Sequence, residues 1–476
     1  NVNLKKKEAG YDPFTESEGP YVSTSMNKWM DCRIVKKGNR ILVFVDDMEV
    51  PKIDVSDPIP ALQGGRIGLG FLHQYKMLIK DFEFHPEISP LLDVDTEYPE
   101  TTSIRLGEKL KIHFTFHDIP NGSMVSLREE VRIHNTEKAE HKQSRVASLE
   151  ANGSLTWEYA PAKEGVYDAT FYFECNGKRA ARREHFCVVD TSKHSMTGEK
   201  KPPKLVADIV MKPTFIDDYI RHNGKGRYVK DGYWESGPDM NDYLALKMHV
   251  KNKNVPHRIQ IEYPDDTDRS MTFSLLYYRL NPDDIGGVNT GFELPVSGAM
   301  REYSAIFWPK TEEFTLMAMN WWNGHRAAVS RVRVYALSSG LPDAGSVTRV
   351  ADNEHRQFGL WNEDPNGILI PIGINAGNEG GEIPAVAWYE GLDRLSQYVK
   401  YLGINTIYYP VLWYDIGSTF PAEGIGRKVG WPSNRYYDDY IKLWCLFGEK
   451  YGYDFHAYII GWGQGDLIKK AIPSYP

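Results

Sequence analysis

The sequence predicts a multidomain protein, with three β-sandwich-type domains followed by the first part of a (β/α)8 TIM barrel. Two observations carry this prediction. Up to about residue 338, apolar residues alternate in short runs that Gly, Pro, Asn and Asp interrupt, as in antiparallel β-structure. After Pro384 the apolar spacing changes from about two to about 3.6 residues, which is the period of amphipathic helices.

Length and charge limit the possible functions. A chain of 476 residues corresponds to several domains at about 100–200 residues each. The formal charge of −8 comes from interspersed acidic and basic residues, which argues against nucleic acid as a partner. No apolar stretch has the length that spans a bilayer, so we expect no membrane insertion. Since no CxxC or spaced Cys/His set occurs, we predict neither a metal nor a cofactor.

The first segment, residues 1–88, contains two predicted antiparallel strands joined at Lys37-Gly38-Asn39. A Trp precedes the first strand, the second ends in Val45–Asp47, and a Gly-Gly-Arg-Ile-Gly-Leu stretch (Gly64–Leu69) follows. This order resembles the C-terminal part of a laminin-G or concanavalin-like jelly roll. The resemblance implies that the front strands of the jelly roll lie outside this sequence.

The second segment, residues 89–192, is predicted to be an immunoglobulin-like sandwich that acts as a spacer. Its Gly165-Val166-Tyr167 stretch resembles the corner tyrosine of such folds. A tight turn at Asn176-Gly177 would pair Cys175 with Lys178, which leaves Cys187 too far along the other arm for a disulfide. Cys32 and Cys445 are expected to be small buried residues.

A polar linker over 191–205 leads to the third segment, residues 205–338, a predicted sandwich of the carbohydrate-binding-module type. The Trp321-Trp322-Asn323-Gly324 stretch lies between two strand-like runs. Because adjacent side chains point to opposite faces of a strand, at most one Trp should be in the core and the other should be free to stack on a sugar. In the alternative reading, one Trp packs under a loop and the other caps the sheet edge.

An acidic cluster, Asp265, Asp266 and Asp268, follows Pro264 in the same segment. Carboxylates this close together could bind calcium, which takes several oxygen ligands. A solvated hairpin loop explains them equally well, and the spacing is not that of an EF-hand.

The fourth segment, residues 356–476, is predicted to be the N-terminal part of the barrel. Three apolar runs, Ile368–Asn375, Ile404–Leu412 and Asp454–Gly461, alternate with two helices that end at Gly403 and Gly452. A TIM barrel has eight strands over roughly 250 residues. With about three strands present, we expect this sequence to be a fragment of a longer protein.

Sites in such barrels lie just past the carboxyl ends of the strands, where this sequence has aromatic, amide and acidic residues. The candidate substrate-binding residues here are Asn375, Trp413, Tyr414, Asp415, Trp462 and Asp466. Aromatic residues followed by an acid at two successive strand ends are typical of a glycan cleft, although packing within the loops explains each residue as well. Hydrolysis usually needs a pair of carboxylates. We assign no pair in this sequence to that role, so the catalytic residues stay unassigned.

A family resemblance covers roughly residues 206–476. It is carried by HRIQIEYPDDTDRSMTFSLL, the Phe307-Trp308-Pro309-Lys310 turn, and WYEGLDRLSQYVKYLGINTIYYPVL. This order is similar to that of large bacterial multimodular proteins, of planctomycete type, in which a glycosyl-hydrolase barrel follows β-sandwich modules. The resemblance implies a secreted, periplasmic or cell-surface protein that acts on polysaccharide. Catalytic pairs in such barrels commonly lie on later strands, so this fragment is expected to be inactive.

The leading hypothesis is therefore a fragment of a secreted glycoside hydrolase, with β modules that bind polysaccharide or oligosaccharide and a barrel that cleaves it. One alternative is a non-catalytic glycan-binding surface protein with a degenerate barrel. Another is a different barrel chemistry, such as that of a deacetylase or isomerase, which would need His and Asp metal ligands at the strand ends.

Overall fold

A computed structural model provides the structure of this chain. It describes residues 31–37, 40–51, 53–56, 83, 92–98, 101–117, 119–120, 122–134, 136, 138–150, 153–192, 202–213, 220–222, 225–253, 255–277, 280–292, 295–338, 340–341, 349–351, 354–355, 357–362, 384–413, 417–418 and 440–459. Within these ranges the chain is mostly β-structure, with two helices. None of the helices in these ranges is long and apolar enough to cross a membrane.

The first described sheet has three antiparallel strands, β1 (Cys32–Lys37), β2 (Arg40–Val45) and β3 (Ile53–Ser56). The predicted hairpin is confirmed, since Lys37 pairs with Arg40. The third strand was not predicted. The expectation that Cys32 is buried is wrong, because this cysteine is exposed on the first strand. The Gly64–Leu69 stretch lies outside the described residues.

Eight strands build the first sandwich. They are β4 (Asp93–Glu97), β5 (Ser103–Arg105), β6 (Leu110–His117), β7 (Met124–Ile133), β8 (His141–Ser148), β9 (Ser154–Tyr159), β10 (Gly165–Cys175) and β11 (Lys178–Val189). One sheet has the order β4-β6-β9 and the other the order β5-β11-β10-β7-β8. On β6, buried and half-buried residues alternate, so one face of the strand lines the core.

Aromatic rings join the two sheets of the first sandwich. Phe114 contacts Phe171 edge to face, with 4.8 Å between the ring centroids, and Trp157 contacts the same ring at 4.8 Å. The hydroxyl of the buried Tyr167 donates a hydrogen bond to the carbonyl oxygen of Lys163 over 2.9 Å, as expected for a corner tyrosine. The assignment to the immunoglobulin-like class stays a prediction.

The hairpin of β10 and β11 has the predicted register, with Cys175 opposite Lys178. Cys187 lies opposite Val166 instead, and the two cysteines are buried without a disulfide, as the spacing predicted. Cys445 is only half-buried.

Twelve strands follow, most of them in the second sandwich. They are β12 (Lys204–Val210), β13 (Ile220–His222), β14 (Arg227–Val229), β15 (Tyr233–Glu235), β16 (Tyr243–His249), β17 (His257–Asp265), β18 (Arg269–Tyr277), β19 (Leu280–Thr290), β20 (Ala299–Phe307), β21 (Glu313–Asn320), β22 (Ala328–Val329) and β23 (Arg331–Ala336). The two large sheets of this sandwich have the orders β12-β23-β17-β20 and β13-β16-β21-β18-β19, and a small sheet has the order β14-β15-β22.

The core of the second sandwich is aliphatic as well as aromatic. Ile259 and Val332 of one sheet belong to the same buried cluster as Leu246, Phe273 and Leu316 of the other. Both large sheets therefore turn one apolar face inward, which is the arrangement of a sandwich. The predicted domain boundaries stay predictions.

A short antiparallel hairpin, β24 (Arg349–Ala351) and β25 (Glu354–His355), follows the twelve strands. After it come β26 (Gly359–Trp361), α1 (Pro384–Tyr401), β27 (Thr406–Trp413), β28 (Gly417–Ser418), α2 (Tyr440–Tyr451) and β29 (Asp454–Ile459). β27 lies between β26 and β29 and is parallel to both. The predicted second and third strands are thus confirmed as neighbours.

The first parallel strand that the structure describes, β26, was not predicted from the sequence. β26 covers Gly359–Trp361, whereas the predicted strand Ile368–Asn375 lies outside the described residues. The prediction relied on the longer apolar run, whereas β26 has only three residues. That this parallel sheet belongs to an eight-stranded barrel stays a prediction.

Both helices end at the predicted glycines. Gly403 and Gly452 have φ angles of 72° and 71°, in the left-handed region that favours glycine. After α1, the amide of Ile404 donates to the carbonyl oxygen of Val399 over 3.0 Å, and after α2 the amide of Tyr453 donates to that of Gly448 over 3.1 Å. Each helix therefore ends in the same hydrogen-bonded turn, which directs the chain into the following parallel strand.

Candidate functional site

Trp321 and Trp322 lie in the turn between β21 and β22. Their exposed fractions are 53% and 45%, so neither is in the core, in agreement with the prediction that at most one of them would be. The alternation rule does not apply, because β21 ends at Asn320 and both indoles follow the strand. Gly324 closes the turn at φ 86°, a conformation that side-chain-bearing residues seldom adopt.

The side chain of Asn320 anchors this turn by hydrogen bonds. It is fully buried, and its carbonyl oxygen accepts hydrogen bonds from the Ser236 hydroxyl and the Ala327 amide, each over 2.5 Å. Its amide nitrogen donates to the carbonyl oxygens of Gly237 and Asp239 over 2.7 and 3.0 Å. All four hydrogen-bonding positions of the amide are thus used, and they connect two loops at one end of the sandwich.

Further hydrogen bonds run between the same two loops. The Met240 amide donates to the side-chain oxygen of Asn323, and the Gly324 amide donates to the carbonyl oxygen of Pro238, each over 2.6 Å. Gly237 has no room for a side chain, because an added Cβ would collide with a carboxylate oxygen of Asp242. The backbone of the turn is therefore fixed before any ligand arrives.

The loop after β19 adds a third aromatic ring. Phe292 contacts Trp322 edge to face, with 4.8 Å between centroids at 80°, and lies 4.9 Å from the ring of His325. Phe292 is 42% exposed. We call Phe292, Trp321, Trp322 and His325 the aromatic rim. Sequence reasoning found the two Trp residues but missed Phe292 and His325. Phe292 comes from a different loop, and His325 carries no motif.

A buried carboxylate lies next to the loop that Asn320 holds. Glu235 contacts Arg227 over 2.6 Å, Arg269 over 3.6 Å and Arg326 over 3.7 Å. Arg326 also donates to the carbonyl oxygen of Ser236 over 2.6 Å. Since Arg326 follows His325 directly, this ionic cluster anchors the far end of the Trp turn.

The guanidinium of Arg269 is buried and also contacts Asp266 over 2.8 Å. Tyr233 donates to the other oxygen of Asp266 over 2.8 Å. Burial, and then the hydrogen bond to Asp266, raises the pKa of Tyr233 to about 12. Burial alone would raise the pKa of Asp266, but the hydrogen bonds from Arg269 and Tyr233 outweigh it and lower that pKa.

The acidic cluster after Pro264 does not converge. Asp265 accepts a hydrogen bond from the Ser297 amide over 2.8 Å, whereas Asp266 binds Arg269. Asp268 lies against Gly291. In the part of the chain that the structure describes, no group of three His, Cys, Asp or Glu residues could hold a metal ion. The carboxylates contact residues of the hairpin and its neighbouring loops. Nothing in this arrangement supports the calcium hypothesis.

Most of the predicted barrel residues lie outside the described residues, namely Asn375, Tyr414, Asp415, Trp462 and Asp466. Trp413 is the last residue of β27, and its backbone pairs with Gly417 of β28. The structure adds Trp361 at the end of β26, which is 59% exposed and whose ring stacks on Tyr458 with 6.1 Å between centroids. Sequence reasoning missed Trp361 because it placed the first strand later.

No protein-family model matches the sequence, and no curated protein matches it either. Similar solved structures include a family 35 carbohydrate binding module from Clostridium thermocellum, at 12% identity over 27% of this chain and 98% of the module, with a TM-score of 0.21. The CBM22-1 xylan-binding domain from Paenibacillus barcinonensis Xyn10C is 8% identical over 29% of this chain and 97% of the domain, with a TM-score of 0.23. A module from Cellvibrio mixtus lichenase 5A, in complex with cellotriose, is 11% identical over 28% of this chain and 97% of the module, with a TM-score of 0.19. TM-scores this low carry no argument, so the chain's own residues must carry any functional conclusion.

Proposed function

We propose that the second sandwich binds glycans through the aromatic rim. The observation that carries this proposal is the pair of exposed indoles, Trp321 and Trp322, on a turn that buried hydrogen bonds hold in place. Large exposed aromatic side chains gathered at one end of a domain are characteristic of a binding surface. Sugar rings present apolar C–H faces that stack on indoles, and their hydroxyls stay in water or bind nearby polar groups.

The expected affinity is modest. Each stacked ring must offset the desolvation of sugar hydroxyls and the ordering of a flexible glycan chain. A rim with two exposed indoles should therefore bind nearer to millimolar than to micromolar, which corresponds to roughly −4 kcal/mol. Binding of this strength is measurable on insoluble polysaccharide, where the binding sites are present at high concentration.

Retention on insoluble polysaccharides tests the proposal. Cellulose, xylan, mannan, chitin and a mixed-linkage β-glucan would be incubated with the chain and with the variants Trp321→Ala, Trp322→Ala and the double variant. We expect the double variant to lose retention, with a melting temperature within about 2 °C of the parent, because both side chains lie on the surface.

Met300→Ala is the matched control, because Met300 is 47% exposed on β20 of the same sandwich but lies outside the aromatic rim. It should be retained like the parent. The proposal is wrong if the parent is retained on none of the polysaccharides, or if the double variant is retained as well as the control.

A second candidate function, hydrolysis of glycosidic bonds, is favoured by the parallel order β26-β27-β29 with its two helices. In this proposal an exported enzyme holds polysaccharide on the second sandwich and cleaves it in its β/α part. The alternative is a surface protein that binds glycans without cleaving them. Incubating the full-length gene product with each retained polysaccharide decides between them, because only the enzyme would release new reducing ends.

A further inference from the structure

A lysine and an aspartate contact one another inside the second sandwich. Lys310 ends the Phe307-Trp308-Pro309-Lys310 turn that follows β20, and Asp283 lies near the start of β19. The Nζ atom of Lys310 lies 2.6 Å from Oδ1 of Asp283. Only 11% of the lysine side chain and 8% of the aspartate side chain are exposed, so both charged groups lie almost out of reach of water.

The strand register turns the Asp283 side chain toward the core. Asp283 pairs with Leu275 of β18, which is fully buried in the core cluster of the sandwich. Residues directly opposite one another in an antiparallel pair point to the same face of the sheet. The next residue, Asp284, is exposed, and its carboxylate accepts a hydrogen bond from the Ser274 hydroxyl over 2.6 Å. Asp283 is therefore the member of this acidic pair that points inward.

Aromatic rings line one side of the lysine–aspartate contact. The Nζ atom of Lys310 lies 5.4 Å from the centroid of the Tyr277 ring. Tyr277 lies 6.0 Å from Phe314, which in turn lies 5.6 Å from Phe307, and all three rings are buried. A pair of ions in such surroundings loses the hydration of both charges, which offsets much of their attraction. The uncharged amine and carboxylic acid are therefore favoured more strongly here than in water.

The electrostatics of Asp283 agree with this argument. Burial raises the pKa of Asp283, and this effect outweighs the positive charge of Lys310, which lowers it. The neutral carboxylic acid is thus populated at a higher pH than in water. Oδ1 of Asp283 has no hydrogen-bond partner among the described residues, so the contact with Lys310 lacks the angles of a hydrogen bond. The two groups touch without the hydrogen bond that would hold a simple ion pair.

The hydroxyl of Tyr277 is the third polar group of this cluster. It is buried, and within the described part of the chain it has no hydrogen-bond partner. Burial, and then the negative charge of Asp283, raise the pKa of Tyr277, so its hydroxyl keeps its proton at neutral pH. A donor beside a carboxyl group stabilises the negative charge that develops on the oxygen when a nucleophile adds to the carbon.

We propose that Lys310 and Asp283 form an isopeptide bond, which cross-links β19 to the turn after β20. A proton passes from the ammonium group to the carboxylate, and the lone pair of Nζ then adds to Cγ of the carboxylic acid. The bond from Cγ to the hydroxyl breaks, the hydroxyl leaves as water with a proton from Nζ, and an amide remains. This condensation needs no other reactant. Contact within a folded core supplies the high effective concentration that amide formation lacks in solution.

Intact-protein mass spectrometry tests the proposal on the purified chain. The parent should be lighter than its sequence mass by one molecule of water. Lys310→Met and Asp283→Ala should each have the full mass of their sequences, because one of the two reacting groups is missing. Asp284→Ala is the matched control, since Asp284 is the neighbouring carboxylate on the other face of β19. It should keep the deficit of one water.

Tryptic peptides locate the bond. Trypsin cleaves after Arg279, Arg301 and Arg326, but it does not cleave after a lysine whose amine is acylated. We expect one joined peptide that contains residues 280–301 and 302–326, with fragment ions that place the link at Asp283 and Lys310. A mass deficit without this joined peptide would indicate that an aspartate had cyclised onto its own backbone, and the proposal would be wrong.

Two further variants separate the chemistry from the packing. Lys310→Arg decides if Lys310→Met fails to fold, because it keeps a positive charge beside Asp283 while its guanidinium stays protonated and does not attack. Tyr277→Phe keeps the ring in the core and should slow bond formation about tenfold or more, followed as the cross-linked fraction at fixed times after induction of expression. Cross-linking at the parent rate would exclude Tyr277 from this role.

A buried ion pair that never reacts is the competing outcome. It predicts the full sequence mass for the parent and for every variant, and trypsin cleavage after Lys310. Either result overturns the proposal, as does a deficit of one water that persists in Lys310→Arg. The bond uses none of the residues of the aromatic rim, so its presence or absence leaves the glycan proposal for the second sandwich untouched.

Discussion

The hydroxyl of Ser236 donates a hydrogen bond to the side-chain oxygen of Asn320 over 2.5 Å, and both residues are fully buried. The two residues are 84 positions apart in the sequence. Because the Trp turn starts at the next residue, this contact fixes where the aromatic rim begins.

Asn320→Asp should destabilise the second sandwich by about 2–4 kcal/mol. The change replaces two N–H donors by a carboxylate oxygen that faces the carbonyl oxygens of Gly237 and Asp239, which then lose their partner. Urea denaturation would measure the loss. Asn323→Ala serves as the control, because its exposed side chain accepts one hydrogen bond and should cost only about 0.5–1 kcal/mol. Equal effects of the two changes would contradict the central role of Asn320.

Tyr167→Phe should cost the first sandwich about 1 kcal/mol, since it removes the hydroxyl that donates to the Lys163 carbonyl oxygen while the ring stays in the core. Burial raises the pKa of Tyr167 to about 12. A neutral form favoured by folding stabilises the protein below pH ~10, and this stabilisation is lost as pH rises from about 10 to 12. The free energy of unfolding of the parent should therefore fall as the pH rises through this range.

The variant Tyr167→Phe should show less of this alkaline loss, when the denaturation midpoint is followed against pH. Tyr172→Phe is its control, because Tyr172 lies half-exposed on the other face of β10, under the guanidinium of Arg128. Alkaline curves that coincide for parent, variant and control would show that the hydroxyl of Tyr167 contributes nothing to stability.

Asp168→Asn should cost about 2 kcal/mol at neutral pH and progressively less in acid. Burial alone would raise the pKa of Asp168, but the hydrogen bonds from His134 and His185, at 3.0 and 2.9 Å, outweigh it and hold that pKa well below its usual range. A lowered pKa stabilises the fold above the unfolded value of ~4, and this contribution disappears as pH falls. Denaturation from about pH 3 to 7 would show the two curves approaching one another.

The exposed pair of Asp95 and His117 provides the control for this prediction. Its atoms are 2.8 Å apart, but the aspartate side chain is 76% exposed, so Asp95→Asn should change the stability by less than about 1 kcal/mol at any pH. A larger effect at Asp95 than at Asp168 would refute the argument from burial.

Gly452→Ala should destabilise the end of α2 by about 1 kcal/mol, because φ at this position is 71° and a Cβ is unfavourable there. An added Cβ would meet nothing within 4 Å, so the cost is conformational and not steric contact. Gly452→Asn should cost less, since asparagine tolerates this region. Thermal denaturation of both variants would rank them, and a lower melting temperature for the Asn variant would contradict the assignment.

Strands with one apolar face could be predicted from the sequence, because burial on one side leaves an alternating pattern. β21 is an example, with buried residues at every second position from Phe314 to Asn320. β8 was missed, since its sequence HKQSRVAS is polar on both sides. It lies at the edge of its sheet, and His141 and Arg145 both reach the buried Glu129. Charged residues pointing inward protect such edges and remove the alternation.

The candidate sites show a similar division. Trp321 and Trp322 are conspicuous in sequence, but their exposure depends on Asn320 ending β21, which no local pattern states. Partners such as Ser236 or Phe292 come from other loops, so only the fold reveals them. Trp361 ends a strand of three residues, too short to give a periodic signal.

The hydrogen bonds that close the Trp turn come from Asn320, Asn323 and Gly324, while the two indoles point to solvent. Asn320, Asn323 and Gly324 therefore hold the turn, while the glycan contacts that we propose use the other two of these five consecutive residues. Positions 321 and 322 can change without disturbing the frame that presents them. We expect that exchanging these two residues alone changes which glycan is preferred. A library randomised at both positions would be a compact starting point for engineered binders.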